Sequence, residues 1–180
     1  AEPNQSVFRN RLAYAGLSGN WGTTAMGRQW TPHYGAVNNT DIYNKDDINP
    51  QFLGTSRTGN AWSYNTPNWK GFTAAGIVTL DNGNNISNDS NKGIDLWQLA
   101  ANYDNESFSV GLAYSKTNGS TPNGSVDPAS IDDKSLWGVG ASYTFQEMFK
   151  LIGQYESGSF PGDTSGNNFD ASEWTIAGEA

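Results

Sequence analysis

The chain has 180 residues, no cysteine and a formal charge of −8, so it is the length of one domain and carries neither a disulfide framework nor thiol chemistry. So acidic a chain is a poor match for nucleic acid, where phosphate neutralisation supplies most of the affinity. Mean hydropathy is −0.62 and no apolar run approaches the roughly 20 residues of a membrane helix, but strands that alternate lumen and lipid residues escape that test.

Period-two alternation marks about nine strands. Ala1 to Ser6 reads as the tail of a loop, with Phe8 already in the first strand. There Arg9, Arg11, Ala13, Ala15 and Leu17 share one face, and Asn10, Leu12, Tyr14 and Gly16 the other. Strands around Gly27–Gln29 and on either side of 66–70 follow. In 95–104, Trp97, Leu99, Ala101 and Tyr103 oppose Gln98, Ala100, Asn102 and Asp104. In the next strand Phe108, Val110, Leu112 and Tyr114 oppose Ser109, Gly111, Ala113 and Ser115. The clearest pattern is 134–145, where Trp137, Val139, Ala141, Tyr143 and Phe145 oppose Leu136, Gly138, Gly140, Ser142 and Thr144. In 149–157, Phe149, Leu151, Gly153 and Tyr155 oppose Lys150, Ile152, Gln154 and Glu156, and near the end Trp174 and Ile176 oppose Glu173, Thr175 and Glu179. The chain starts and stops within this rhythm, and single-chain bacterial barrels usually have an even strand number. It is therefore expected to be an interior piece of a longer protein, one partial domain over 1–180.

The connections are short at 18–22, 66–70, 104–106 and 145–148, and long at 33–57, 82–93, 117–134 and 159–171. Strict alternation gives the sheet two different ends, as in an antiparallel transmembrane β-barrel with tight periplasmic turns and long external loops. Aromatics bracket several apolar faces, as at membrane interfaces. The opposite faces are small and polar, suited to a water-filled lumen. The same periodicity also fits a soluble secreted β-sandwich that binds carbohydrate on a platform of Trp30, Trp62, Trp69 and Trp97.

Catalytic chemistry finds no foothold. His33 has neither a cysteine nor a Gly-x-Ser-x-Gly partner, which favours a structural role for it. Asp46–Asp47 and Asp132–Asp133 are sequence neighbours, whereas working carboxylate pairs converge from separate elements. Residues 81–89 have some oxygen-ligand spacing for calcium but no closing Glu. Neither a cofactor nor a metal site is expected.

All four arginines, Arg9, Arg11, Arg28 and Arg57, lie in the first third, and the loop between the last two holds Asp41, Asp46 and Asp47. A guanidinium toward lipid is costly, which predicts Arg9 and Arg11 toward the lumen, with Leu12 and Tyr14 toward lipid. Residues 9–17, Arg-Asn-Arg-Leu-Ala-Tyr-Ala-Gly-Leu, resemble the Arg-Leu-Ala-Phe-Ala-Gly-Leu strand of general bacterial porins. Gly27-Arg28-Gln29 resembles the Gly-Arg strand that follows it, and 60–72 the family's Tyr-x-Ser-Pro-x-Phe-x-Gly hairpin. The matches cover residues 7 to about 80 in family order.

The resemblance implies a 16-stranded outer-membrane barrel, in the range of about 16–18 strands at which a lumen becomes an aqueous channel. It further implies a homotrimer in a Gram-negative outer membrane, in contact with lipid and lipopolysaccharide. An inward-folded loop at 37–53 would narrow the pore, facing acids Asp41, Asp46 or Asp47 toward wall arginines Arg11, Arg28 and Arg57. The Pro-Glu-Phe-Gly-Gly turn of enteric members is replaced by Asp-Ile-Asn-Pro at 47–50. The expected function is passive diffusion of small hydrophilic solutes and ions, with no bond made or broken. An adhesin or phage-receptor role of the long loops is compatible with it.

Overall fold

The computed structural model describes residues 11–38, 52–80, 93–117, 135–146, 148–160 and 169–179. In these residues nine antiparallel strands form one sheet in simple sequence order. They are β1 (Ala13–Gly19), β2 (Gly22–Trp30), β3 (Arg57–Asn65), β4 (Phe72–Leu80), β5 (Ile94–Asp104), β6 (Phe108–Thr117), β7 (Ser135–Phe145), β8 (Phe149–Phe160) and β9 (Phe169–Glu179). One short helix, α1 (Pro32–Val37), interrupts the meander between β2 and β3. No helix among the described residues is long and apolar enough to cross a membrane, which says nothing against a β-barrel.

The short connections are real hairpins with local causes. Lys70 and Gly71 both take positive φ between β3 and β4, the backbone of a tight hairpin turn whose twist matches its strands. Between β5 and β6, the Asn105 side-chain oxygen accepts from the Ser107 and Phe108 amides, the local bonding that makes Asn a turn residue. The other end of the sheet carries the long connections, so the predicted sorting of short and long loops holds.

Register fixes the two faces. One row of directly opposed residues runs through all nine strands: Gly16, Ala25, Ser63, Ile77, Gln98, Ser115, Leu136, Gly158 and Ala171. On this face α1 packs, chiefly against β5, β6 and β7. Polar side chains here are enclosed: Gln98 is 1% exposed and Glu156 0%. The other face carries rows such as Met26, Trp62, Val78 and Trp97, and its apolar groups are open, with Leu112 57% and Trp174 70% exposed. A water-soluble sheet has the reverse distribution. Apolar-out and polar-in is the arrangement a lipid surround selects, because leucine and indole lose nothing there and the paired backbone is satisfied.

These faces match the predicted ones in β5 to β9. They reverse the prediction for β1: Tyr14 and Gly16 pair with Gly27 and Ala25, which puts them on the α1 face and leaves Ala13, Ala15 and Leu17 outside. The prediction leaned on the cost of placing Arg11 toward lipid. Arg11 precedes the first paired residue, Ala13, so strand alternation does not dictate where its side chain goes. The β-sandwich is not supported, since the described strands form a single sheet. Nor do its four tryptophans share a surface: Trp62 and Trp97 lie in the outer row, Trp69 sits at a hairpin, and Trp30 ends β2.

The faces make a direct prediction for the full-length protein. Leu112→Arg, on the outer face, should cost about 2–4 kcal/mol when folding into lipid vesicles is titrated with urea. Thr175→Arg, on the opposite face of β9, should leave the midpoint nearly unmoved. Equal sensitivity at both positions would contradict the assignment of faces.

Candidate functional site

The site grows from the entry into the β2–β3 loop. Thr31 caps α1, its side-chain oxygen accepting from the Tyr34 amide, and Pro32 takes the first helical position, where a missing N–H costs nothing. The Thr31 hydroxyl also donates to the Thr55 carbonyl at 2.6 Å, and the Thr31 amide to the Ser56 carbonyl at 3.0 Å. The outgoing and returning limbs of the loop are thus joined at the base.

Six residues are too few for a helix to persist alone. The sheet supplies a seat made of missing side chains. A Cβ on Gly111 would run into the Ala36 carbonyl, and one on Gly138 would lie 2.8 Å from Val37 Cγ2. Ala36 and Val37 bury themselves against Ala100 and Ala113, with Phe52 from the returning limb packed on this cluster.

A buried carboxylate then holds both limbs. Glu156 Oε1 lies 2.8 Å from His33 Nε2, and Glu156 Oε2 accepts from the Leu53 amide at 2.9 Å. Both His33 and Glu156 are fully enclosed, and a carboxylate at Glu156 takes its hydrogen bond from a protonated Nε2. The His33 amide donates to Gln98 Oε1 at 3.2 Å, and Gln98 Nε2 donates on to Ser115 at 3.1 Å. Glu156 therefore has a charge-assisted partner from each limb, which is what a carboxylate taken out of water demands.

Two of the three predicted arginines come together. The Arg57 guanidinium lies 4.7 Å from the centre of the Trp30 ring and the Arg11 guanidinium 5.6 Å from it. Neither meets a carboxylate among the described residues. Arg28 stays apart. It pairs with Ala13 on β1, beside the register shift between Gly27 and Gln29, and its Nη1 lies against Gly59. The three predicted acids, Asp41, Asp46 and Asp47, lie outside the described residues, as do most of the proposed 37–53 loop and the 81–89 segment weighed for calcium. No cluster of three or more metal-ligating His, Cys, Asp or Glu occurs among the described residues.

Sequence reasoning missed the anchor. His33 was read as structural but without its partner, and Glu156 was passed over. One signal was available: Glu156 is an acidic side chain between Gln154 and Gly158 on the inward face of a strand whose other face is mainly apolar. Thr31-Pro32 was also a legible helix start.

Removing the anchor gives a measurable loss. Glu156→Ala leaves the His33 Nε2–H and the Leu53 amide without their acceptor. It should destabilise the folded protein by on the order of 3 kcal/mol and speed protease cleavage within the β2–β3 loop. Glu156→Gln, which keeps one acceptor, should lie between. An Ala variant with wild-type proteolysis would show that the loop is held elsewhere.

A family model described as Gram-negative porin matches residues 2–179. Outer membrane porin protein 32 of Delftia acidovorans is 30% identical over 180 residues, covering 91% of this chain and 48% of that protein. Among solved structures, an anion-selective porin from Comamonas acidovorans superposes with a TM-score of 0.72 at 24% identity, covering 91% of this chain and 50% of that one. A Salmonella typhi OmpF complex with daunomycin gives 0.60 at 16% identity, covering 93% and 65%. The chain spans about half the length of the first two of these relatives. At such identities the two structures speak for the fold alone, a porin β-barrel. The family match runs through nearly every residue and goes further: the chain belongs to the Gram-negative porin family of the outer membrane.

Proposed function

We propose that the full-length protein is a general diffusion porin, a passive channel for small hydrophilic solutes and ions. The observation that carries this is α1, the outgoing limb of the β2–β3 loop, seated on the polar face of an apolar-out sheet, with two guanidiniums beside it that meet no carboxylate among the described residues. In this reading the barrel has 16 strands, near the low end of the roughly 16–18 that enclose an aqueous channel. It assembles as a homotrimer, and its outer face meets lipid and lipopolysaccharide. Residues 37–53 form the constriction, with Asp41, Asp46 and Asp47 as candidate acids facing Arg11 and Arg57. Arg28, whose register partner Ala13 lies on the outer face, has no part in the constriction in this reading.

Selectivity then follows from local charge at the narrowing and from lumen radius, while the chain's net charge of −8 acts only as a distant background. Charges on facing walls set up a transverse field in confined, poorly screened water. Polar solutes align in it. Apolar ones must lose ordered water without compensation. The arginine cluster biases passage toward anions, in keeping with the relative named as anion-selective. None of these steps makes or breaks a bond.

Planar-bilayer recording of the full-length protein in a salt gradient tests the reading. Long-lived steps, often in threes, are expected from a trimeric pore. Arg11→Gln with Arg57→Gln should shift the reversal potential toward cation preference. The shift should be largest near 0.1 M salt, where screening acts over about 10 Å, and should shrink toward 1 M. An unchanged reversal potential would remove these two residues from the pore, and a well-folded protein without conductance would remove the pore itself.

A further inference from the structure

Trp30 is 36% exposed, yet its ring meets two guanidiniums and a second aromatic ring. Arg57 and Arg11 lie over it at 4.7 and 5.6 Å. Its backbone pairs with that of Arg57 across β2 and β3. Tyr34, from α1, stacks on it at 4.7 Å with the planes 16° apart. Tyr34 in turn meets Phe52 edge-on at 5.4 Å, and Phe52 meets the His33 ring at 5.7 Å. A continuous file of rings thus runs from the two guanidiniums to the buried His33–Glu156 pair.

The chemistry of this arrangement is specific. An arginine on a wet wall samples many rotamers unless something holds it. A carboxylate would hold it but would cancel its charge and occupy its donors. An aromatic face holds a guanidinium through the ring quadrupole, leaving the charge whole and the N–H fork free to meet an oxyanion. The stacked Tyr34 fixes the indole, and the ring file ties that position to the loop anchor.

We propose that Trp30 is a positioning residue for selectivity: it clamps Arg11 and Arg57 at the pore wall, charged and with donors unspent, as a way-station for carboxylate or phosphate oxygens of passing solutes. The proposal rests on the channel reading above. Losing an exposed cation–π contact lowers the clamped population about two- to five-fold.

The test is the anion-to-cation permeability ratio of the full-length trimer in a potassium chloride gradient. Trp30→Leu should bring the ratio toward unity by about two-fold or more, with trimers still forming and conducting. Trp30→Phe, which keeps a π face, should retain most of the wild-type ratio. Should Trp30→Leu fail to assemble, Trp30→Met, which is flexible and apolar without a π face, carries the same expectation. A Trp30→Leu or Trp30→Met pore with the wild-type ratio overturns the proposal, as does Trp30→Phe shifting as far as Trp30→Leu. Failure of the channel reading looks different, because then the wild-type protein does not conduct.

Discussion

A single carboxylate organises the interior of this sheet. Glu156 takes one bond from His33 on the outgoing limb of the β2–β3 loop and one from Leu53 on the returning limb. The ion is completely enclosed, so its desolvation has to be offset by both partners together. That requirement makes the loop's position an all-or-none matter. If either limb leaves, a buried charge loses half of its compensation, and the other limb loses its reason to stay. The glycine seat on β6 and β7 and the joined base at Thr31 act in the same sense, by letting α1 lie close enough for His33 to reach.

The outer face obeys a different constraint. Where a sheet meets hydrocarbon, every backbone group must be paired within the protein, which the meander achieves for β2 to β8, the strands with a neighbour on each side. The apolar side chains then need no partners of their own. This frees the polar face to be built of small residues, and small residues leave room. Room is what allows a loop to enter and what leaves water beside it. The two faces therefore divide the work, with lipid satisfying one and the loop shaping the other.

Much of this was legible. Period-two alternation is local, so the strands β5 to β9 and their faces could be read directly, as could the sorting of tight and long connections. The porin resemblance brought out Arg11 and Arg57. What the sequence hid is non-local. His33 and Glu156 lie 123 residues apart, and no short pattern links them. Helix α1 exists because Gly111 and Gly138 lack side chains, a fact about β6 and β7 that its own six residues do not carry. The phase of β1 went wrong because a charge argument was applied to Arg11, which stands before the strand begins. Trp30 was weighed as a sugar platform because its sequence gives no hint that two arginines fold over it.

The central claim is that α1, the outgoing limb of the β2–β3 loop, lies on the polar face of the sheet and seats on its glycines. These 180 residues contain no cysteine, so an introduced pair meets no competing thiol among them. Val37 Cγ2 lies 2.8 Å from where a Cβ at residue 138 would stand, close to the span between a sulfur and the far Cβ of a disulfide with its usual S–S length of about 2.05 Å. The measurement is oxidation of the Val37→Cys, Gly138→Cys double variant in the full-length, membrane-inserted protein, followed by mass spectrometry and single-channel recording. The structure predicts near-complete disulfide formation with a conductance that reduction does not change. Free thiols in a folded, conducting pore, with the Gly138→Cys single variant matching the parent in conductance and in protease resistance of the β2–β3 loop, would contradict it.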